Sequence, residues 1–136
     1  MRNSRYRYTR LVMIVGAITF GVNAIWLLSS TKGFVDYLGL EKATPVMWPY
    51  KILGVVLLAL SVHMATTSRQ VPDAPFRRAA IVMIFVALAL SFLTYKAPGT
   101  QTSGRLTFIG IGALFAVLYA ITLPIKSIGI LEEEQK

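Results

Sequence analysis

Cysteine is missing from this chain, and histidine occurs once. Without cysteine there is no disulfide, no thiol nucleophile and no cysteine-ligated iron–sulfur cluster, and redox compartment leaves no mark. One histidine cannot supply both imidazoles of a transmembrane b-type haem, and the His and carboxylate clusters of metal hydrolases are absent. Charge is scarce as well, at 15% of residues. No Asp, Glu or Arg falls near the middle of any apolar stretch, so the buried carboxylate that drives small four-span proton-coupled exporters has no counterpart. No Gly-rich phosphate loop or nucleophile elbow occurs. Asp36 and Glu41 fall in the first connection and Asp73 in the second, on opposite sides of the expected fold. The sequence therefore predicts a protein that is not an enzyme, with no metal and no cofactor.

What is present is hydrophobic length. Four apolar stretches run over residues 11–29, 47–66, 79–95 and 106–123, each of 17–20 residues. About 20 helical residues at 1.5 Å rise cross a hydrocarbon core of about 30 Å. Hydrophobic residues reach 55%, more apolar surface than a soluble chain of 136 residues could bury. The expectation is a single all-α integral membrane domain over residues 1–136, an antiparallel four-helix bundle. Arg2, Arg5, Arg7 and Arg10 precede the first stretch as they would in a signal peptide. That stretch is too long for one, and Ser29-Ser30-Thr31-Lys32 is a poor cleavage site, so it reads as a retained span.

Basic residues set the orientation. With the N-terminus cytoplasmic, the inside carries Arg2, Arg5, Arg7, Arg10, Arg69, Arg77, Arg78, Lys126 and Lys136; the outside carries Lys32, Lys42, Lys51, Lys96 and Arg105. Nine against five favours both termini inside. The net charge of +8 is thus a topology signal, and no nucleic acid is expected as a partner. Arg5-Tyr6-Arg7-Tyr8 suits anionic lipid headgroups.

The first connection, residues 31–46, mixes Phe34, Val35, Tyr37, Leu38 and Leu40 with Asp36, Glu41 and Lys42. It predicts a short interfacial helix lying on the outer surface, weakened at Gly39 and stopped by Pro45. Trp26, Trp48 and Tyr50 would form an aromatic belt there that anchors the fold in the membrane. Residues 67–78, with Pro72, Asp73 and Pro75, read as an irregular inner loop, and 96–104 as a tight outer turn. Pro124 ends the last span, ahead of a solvated acidic tail.

Small residues mark close helix packing or a partner interface: Ala17 and Gly21 in the first span, and Gly112, Ala116 and Ala120 at i, i+4, i+8 in the fourth. Polar groups at depth are few. Asn23, His63 and Tyr119 are the candidates for ligand contacts, each with a plainer use in hydrogen bonding or snorkelling. Ser61, Ser91, Thr19 and Thr94 can bond to carbonyls one turn back and carry no signal of their own.

Leu38-Gly39-Leu40 after the first span, followed by Tyr50-Lys51-Ile52-Leu53-Gly54 opening the second, resembles the DoxX-like small four-span bacterial membrane proteins. The resemblance implies a compact bundle in the bacterial cytoplasmic membrane that associates with other membrane subunits, and it carries over no catalytic residue. Two functional expectations follow. The first is a non-catalytic accessory or scaffolding subunit, docking on a larger complex or self-associating through its small-residue faces. The second is a binder of a quinone, isoprenoid or pigment, with Asn23, His63 and Tyr119 as polar contacts in an apolar pocket.

Overall fold

The computed structural model describes residues 6–40 and 44–124. These form five α-helices and, among the described residues, no strand: α1 Arg7–Ser29, α2 Thr31–Tyr37, α3 Thr44–Gln70, α4 Asp73–Lys96 and α5 Ser103–Thr122. Four of them are long and apolar enough to cross a membrane. Arg2, Arg5, Glu41, Lys42, Lys126, Lys136 and the acidic tail lie outside the described residues.

The long helices overrun the apolar stretches that announce them. The largest gain is in α4, which begins at Asp73 and takes in Pro75, Arg77 and Arg78, so the irregular inner loop shrinks to Val71 and Pro72. Proline in a first turn has no amide proton to lose there, and the Asp73 carboxylate suits the positive end of a helix dipole. Pro45 likewise falls in the first turn of α3 rather than ending α2, and Pro49 follows inside the same helix. The stop for α2 is Gly39, at φ +64°. Its amide donates to Asp36 O (3.0 Å) and that of Leu40 to Val35 O (3.0 Å), the paired bonds of a Schellman cap.

α2 is also more deeply set than a helix resting on the outer surface. Phe34, Val35 and Leu38 are buried, and the Phe34 ring stands edge-on to Phe108 of α5 and Trp26 of α1, at 5.5 and 5.2 Å between centroids. Turned inward, it plugs one end of the helix assembly.

α1 packs most extensively on α3, and α4 on α5; α3 and α4 meet sparsely. Hydrogen bonds lock both ends. At one, Thr9 Oγ1 donates to Thr122 O (2.7 Å), and Arg10 reaches the end of α3 and the start of α4. At the other, Thr100 N donates to Gly39 O (2.9 Å) and Thr102 Oγ1 to Tyr37 O (2.7 Å). The core is divided accordingly. A large cluster around Met13, Met64, Phe76, Met83 and Tyr119 fills the Arg10 end, and Leu27, Phe34 and Leu38 fill the Gly39 end.

Candidate functional site: an uncharged cavity between two helix pairs

Between those clusters lies a cavity of about 160 Å³, bounded by both helix pairs and by α2. Its walls are carbon-rich: Phe20, Leu57, Met64, Met83, Ile111 and Phe115 are among the residues around it. No Asp, Glu, Lys, Arg or His lines it. Leu53 belongs to the lining and is also 42% exposed, which marks where the cavity meets the outer surface of the helices.

Most of its polar side chains are already used. Thr19 Oγ1 donates to Val15 O (2.9 Å). Asn23 Nδ2 donates to Thr19 O (2.8 Å) in its own helix, rather than to a neighbouring one. Ser91 Oγ stands 3.0 Å from Ala87 O and 3.2 Å from Ile109 O of α5. Tyr119 is different. Its side chain is 1% exposed, and its hydroxyl is buried with no hydrogen-bond partner among the described residues. An unpaired buried hydroxyl costs about 1–3 kcal/mol. Gly16 lets both Tyr119 and Met64 pack close against α1: a Cβ there would lie 3.4 Å from Tyr119 Oη and 2.8 Å from Met64 Cε.

Of the three polar candidates, Asn23 and Tyr119 thus come to one cavity and His63 does not. His63 precedes the buried, cavity-lining Met64, and one residue is about 100° of helical rotation, which turns the imidazole to the exposed face.

Comparison with known proteins returns no counterpart. No family model, no curated protein and no solved structure matches the chain. The site's chemistry is read from its own residues.

The small residues divide by what they face. Ala17 is buried, and its carbonyl accepts from Ser61 Oγ of α3 (2.7 Å). A Cβ at Gly21 would meet the same Ser61 Oγ at 2.9 Å. At Gly112 a Cβ would press on Ser91 and lie 3.2 Å from Ala87 O, so α5 touches α4 there nearly backbone to backbone. Ala116 is buried, whereas Ala120 is exposed. Spacing of four residues drifts about 40° per step on a helix of 3.6 residues per turn, so the third rung of the ladder rotates out. Trp26, Trp48 and Tyr50 gather at the Gly39 end: Trp26 leans on Phe34 and Tyr37, Trp48 is largely exposed, and Tyr50 packs against the Leu27–Phe34–Leu38 cluster.

Charge counting missed the two most specific side chains in the fold. Arg105 is fully buried. Its Nε donates to Thr94 O (2.8 Å), Nη1 to Thr100 O (3.4 Å), and Nη2 to Tyr95 O (3.3 Å) and Ala97 O. A guanidinium here collects the carbonyls left over where α4 ends, and its charge suits the negative end of that helix. Arg10 does the same for α3, through Ser68 O (2.7 Å) and Val71 O (2.8 Å), while pairing with Asp73 Oδ1 (2.9 Å) and covering the Phe76 ring at 4.2 Å. The signal open to sequence reading is an arginine in the first turns of one helix, positioned to meet the last carbonyls of another.

The cavity's hydroxyls, on Thr19, Ser91, Thr94 and Tyr119, have no histidine, carboxylate or amine beside them in the lining to act as a base. Among the described residues no group of three or more His, Cys, Asp or Glu could hold a metal. What the arrangement provides is apolar contact and, at Tyr119, a buried hydroxyl with no hydrogen-bond partner among the described residues.

Proposed function

We propose that the chain is an integral membrane protein, an antiparallel four-helix bundle whose interior binds a lipophilic small molecule. The membrane part of this reading is supported by the outward faces of the long helices. Val15, Ile18, Val22 and Ile25 of α1, Phe85 and Phe92 of α4, and Leu114, Val117 and Ile121 of α5 are all exposed, an apolar surface suited to lipid and unsuited to water. The DoxX-like resemblance and the excess of basic residues at the Arg10 end agree with a bacterial cytoplasmic membrane and both termini inside.

The binding part is carried by one observation: an uncharged cavity whose lining includes Tyr119, a residue with a buried hydroxyl that has no partner among the described residues. Pockets for small molecules are mostly apolar with a few orienting polar groups, and this cavity has that character. The protein holds or sequesters its ligand without transforming it, since no base lines the cavity to activate its hydroxyls.

The accessory-subunit reading draws less from the fold. Ala17, Gly21, Gly112 and Ala116 are engaged within the chain, which leaves Ala120 as the exposed rung for a partner. Purification from the native membrane in mild detergent separates the two readings. A stoichiometric lipophilic molecule in the organic extract is the expected result. A reproducible protein partner with no such molecule would replace binding by scaffolding.

A further inference from the structure

The chemistry of the cavity narrows its occupant, granted the reading of that cavity as a lipophilic binding site. Its volume of about 160 Å³ is close to the roughly 150 Å³ of an apolar cavity that admits benzene. One six-membered ring with a small substituent fits, and a longer apolar tail has room to leave beside the part-exposed Leu53. The absence of charge from the lining selects a neutral molecule. Water is a poor filler, because it needs two to four polar partners, and the Tyr119 hydroxyl stands near Gly16, Met64 and Phe115.

The hydroxyl sets the remaining requirement. Thr19, Asn23 and Ser91 each donate to a backbone carbonyl, whereas the Tyr119 hydroxyl is buried with no partner among the described residues. We propose that the cavity takes a neutral single-ring molecule whose ketone, ester or ether oxygen accepts a hydrogen bond from Tyr119 Oη. A bare hydrocarbon would fill the same space and leave the hydroxyl unpaired.

The test uses the full chain in mild detergent, irradiated with 4-hexylacetophenone, an aromatic ketone that inserts into nearby C–H bonds, and mapped by mass spectrometry. Label is expected on Met64 or Met83, which flank the cavity. Tyr119→Phe should cut it at least threefold while helical circular dichroism and elution volume stay unchanged. Methyl 4-hexylbenzoate, which keeps an acceptor oxygen, should displace the label at about tenfold lower concentration than hexylbenzene. Gly16→Leu, whose side chain would push Met64 into the cavity, should abolish it while circular dichroism stays unchanged. Equal labelling of Tyr119→Phe with equal competition by hexylbenzene would overturn the acceptor requirement and leave the binding site standing. No displaceable label on any cavity residue would overturn the binding site itself.

Discussion

Arg105 ties together four backbone carbonyls at one end of the fold. Its guanidinium serves the carbonyls of Thr94, Tyr95, Ala97 and Thr100 while completely buried, and hydrogen bonds to a charged donor contribute about 1.5–3 kcal/mol each. Arg105→Leu should therefore destabilise the protein by at least about 3 kcal/mol in denaturant unfolding followed by circular dichroism. Arg105→Lys should recover only part of that, because a compact ammonium cannot span carbonyls that the planar fork reaches together. Arg10 allows a finer comparison, since two of its acceptors are backbone and one is Asp73. Asp73→Asn removes the charge and keeps an acceptor, at an expected cost of about 1 kcal/mol or less. Arg10→Leu strands two helix-terminal carbonyls and should cost about 3 kcal/mol. Equal losses for the two variants would show that the ion pair from α1 to α4, rather than the capping of the α3 end, carries what Arg10 contributes. Neither arginine's role is legible in sequence, where each counts only as one positive charge on one side of a membrane. The role depends on which carbonyls the packing brings within reach.

The helices themselves were plain from hydrophobic length, because a run of 17–20 apolar residues admits few other structures. Their ends were not. Pro45, Pro72 and Pro75 read as breakers, yet Pro45 and Pro75 fall in first turns, where a missing amide proton costs nothing. The true stop is Gly39, whose left-handed backbone lets the chain turn under the α4–α5 connection. A Cβ at Gly39 would run into the Thr100 carbonyl and stand 2.9 Å from Thr100 Oγ1, besides straining φ. Gly39→Ala should thus cost about 2 kcal/mol or more, from a left-handed penalty of about 1–2 kcal/mol with a steric clash added. Gly110 is the internal control. It is helical, and a Cβ there meets nothing within 4 Å. Gly110→Ala should leave stability unchanged or raise it by up to about 1 kcal/mol, as helix propensity dictates. A large loss at Gly110 would mean that its exposed face is covered in the working protein, which would favour a docked partner.

At the scale of the whole molecule, the cavity was the least legible feature, because it exists only in the spacing of helix pairs that pack tightly within themselves and loosely across α3 and α4. Asn23 and Tyr119 could be picked out as polar residues at depth, but their convergence, and the exclusion of His63, required the helices in place. Orientation is the reverse case, proposed from charge alone. Arg10 and Arg105 are each consumed by carbonyls, one at each end, so discounting both turns the nine-to-five count expected from the sequence into eight to four. The cysteine-free chain makes this directly measurable, since any introduced thiol is unique. Gln101, in the connection after α4, and Gln70, at the end of α3, are both exposed and sit at opposite ends of the long helices. With the N-terminus inside, Gln101→Cys should react with a membrane-impermeant maleimide in intact cells, and Gln70→Cys only after the membrane is opened. The opposite pattern would invert the orientation and leave the cavity untouched. Reaction of both in intact cells would remove the membrane from the argument, and with it the reason why so much apolar surface faces outward.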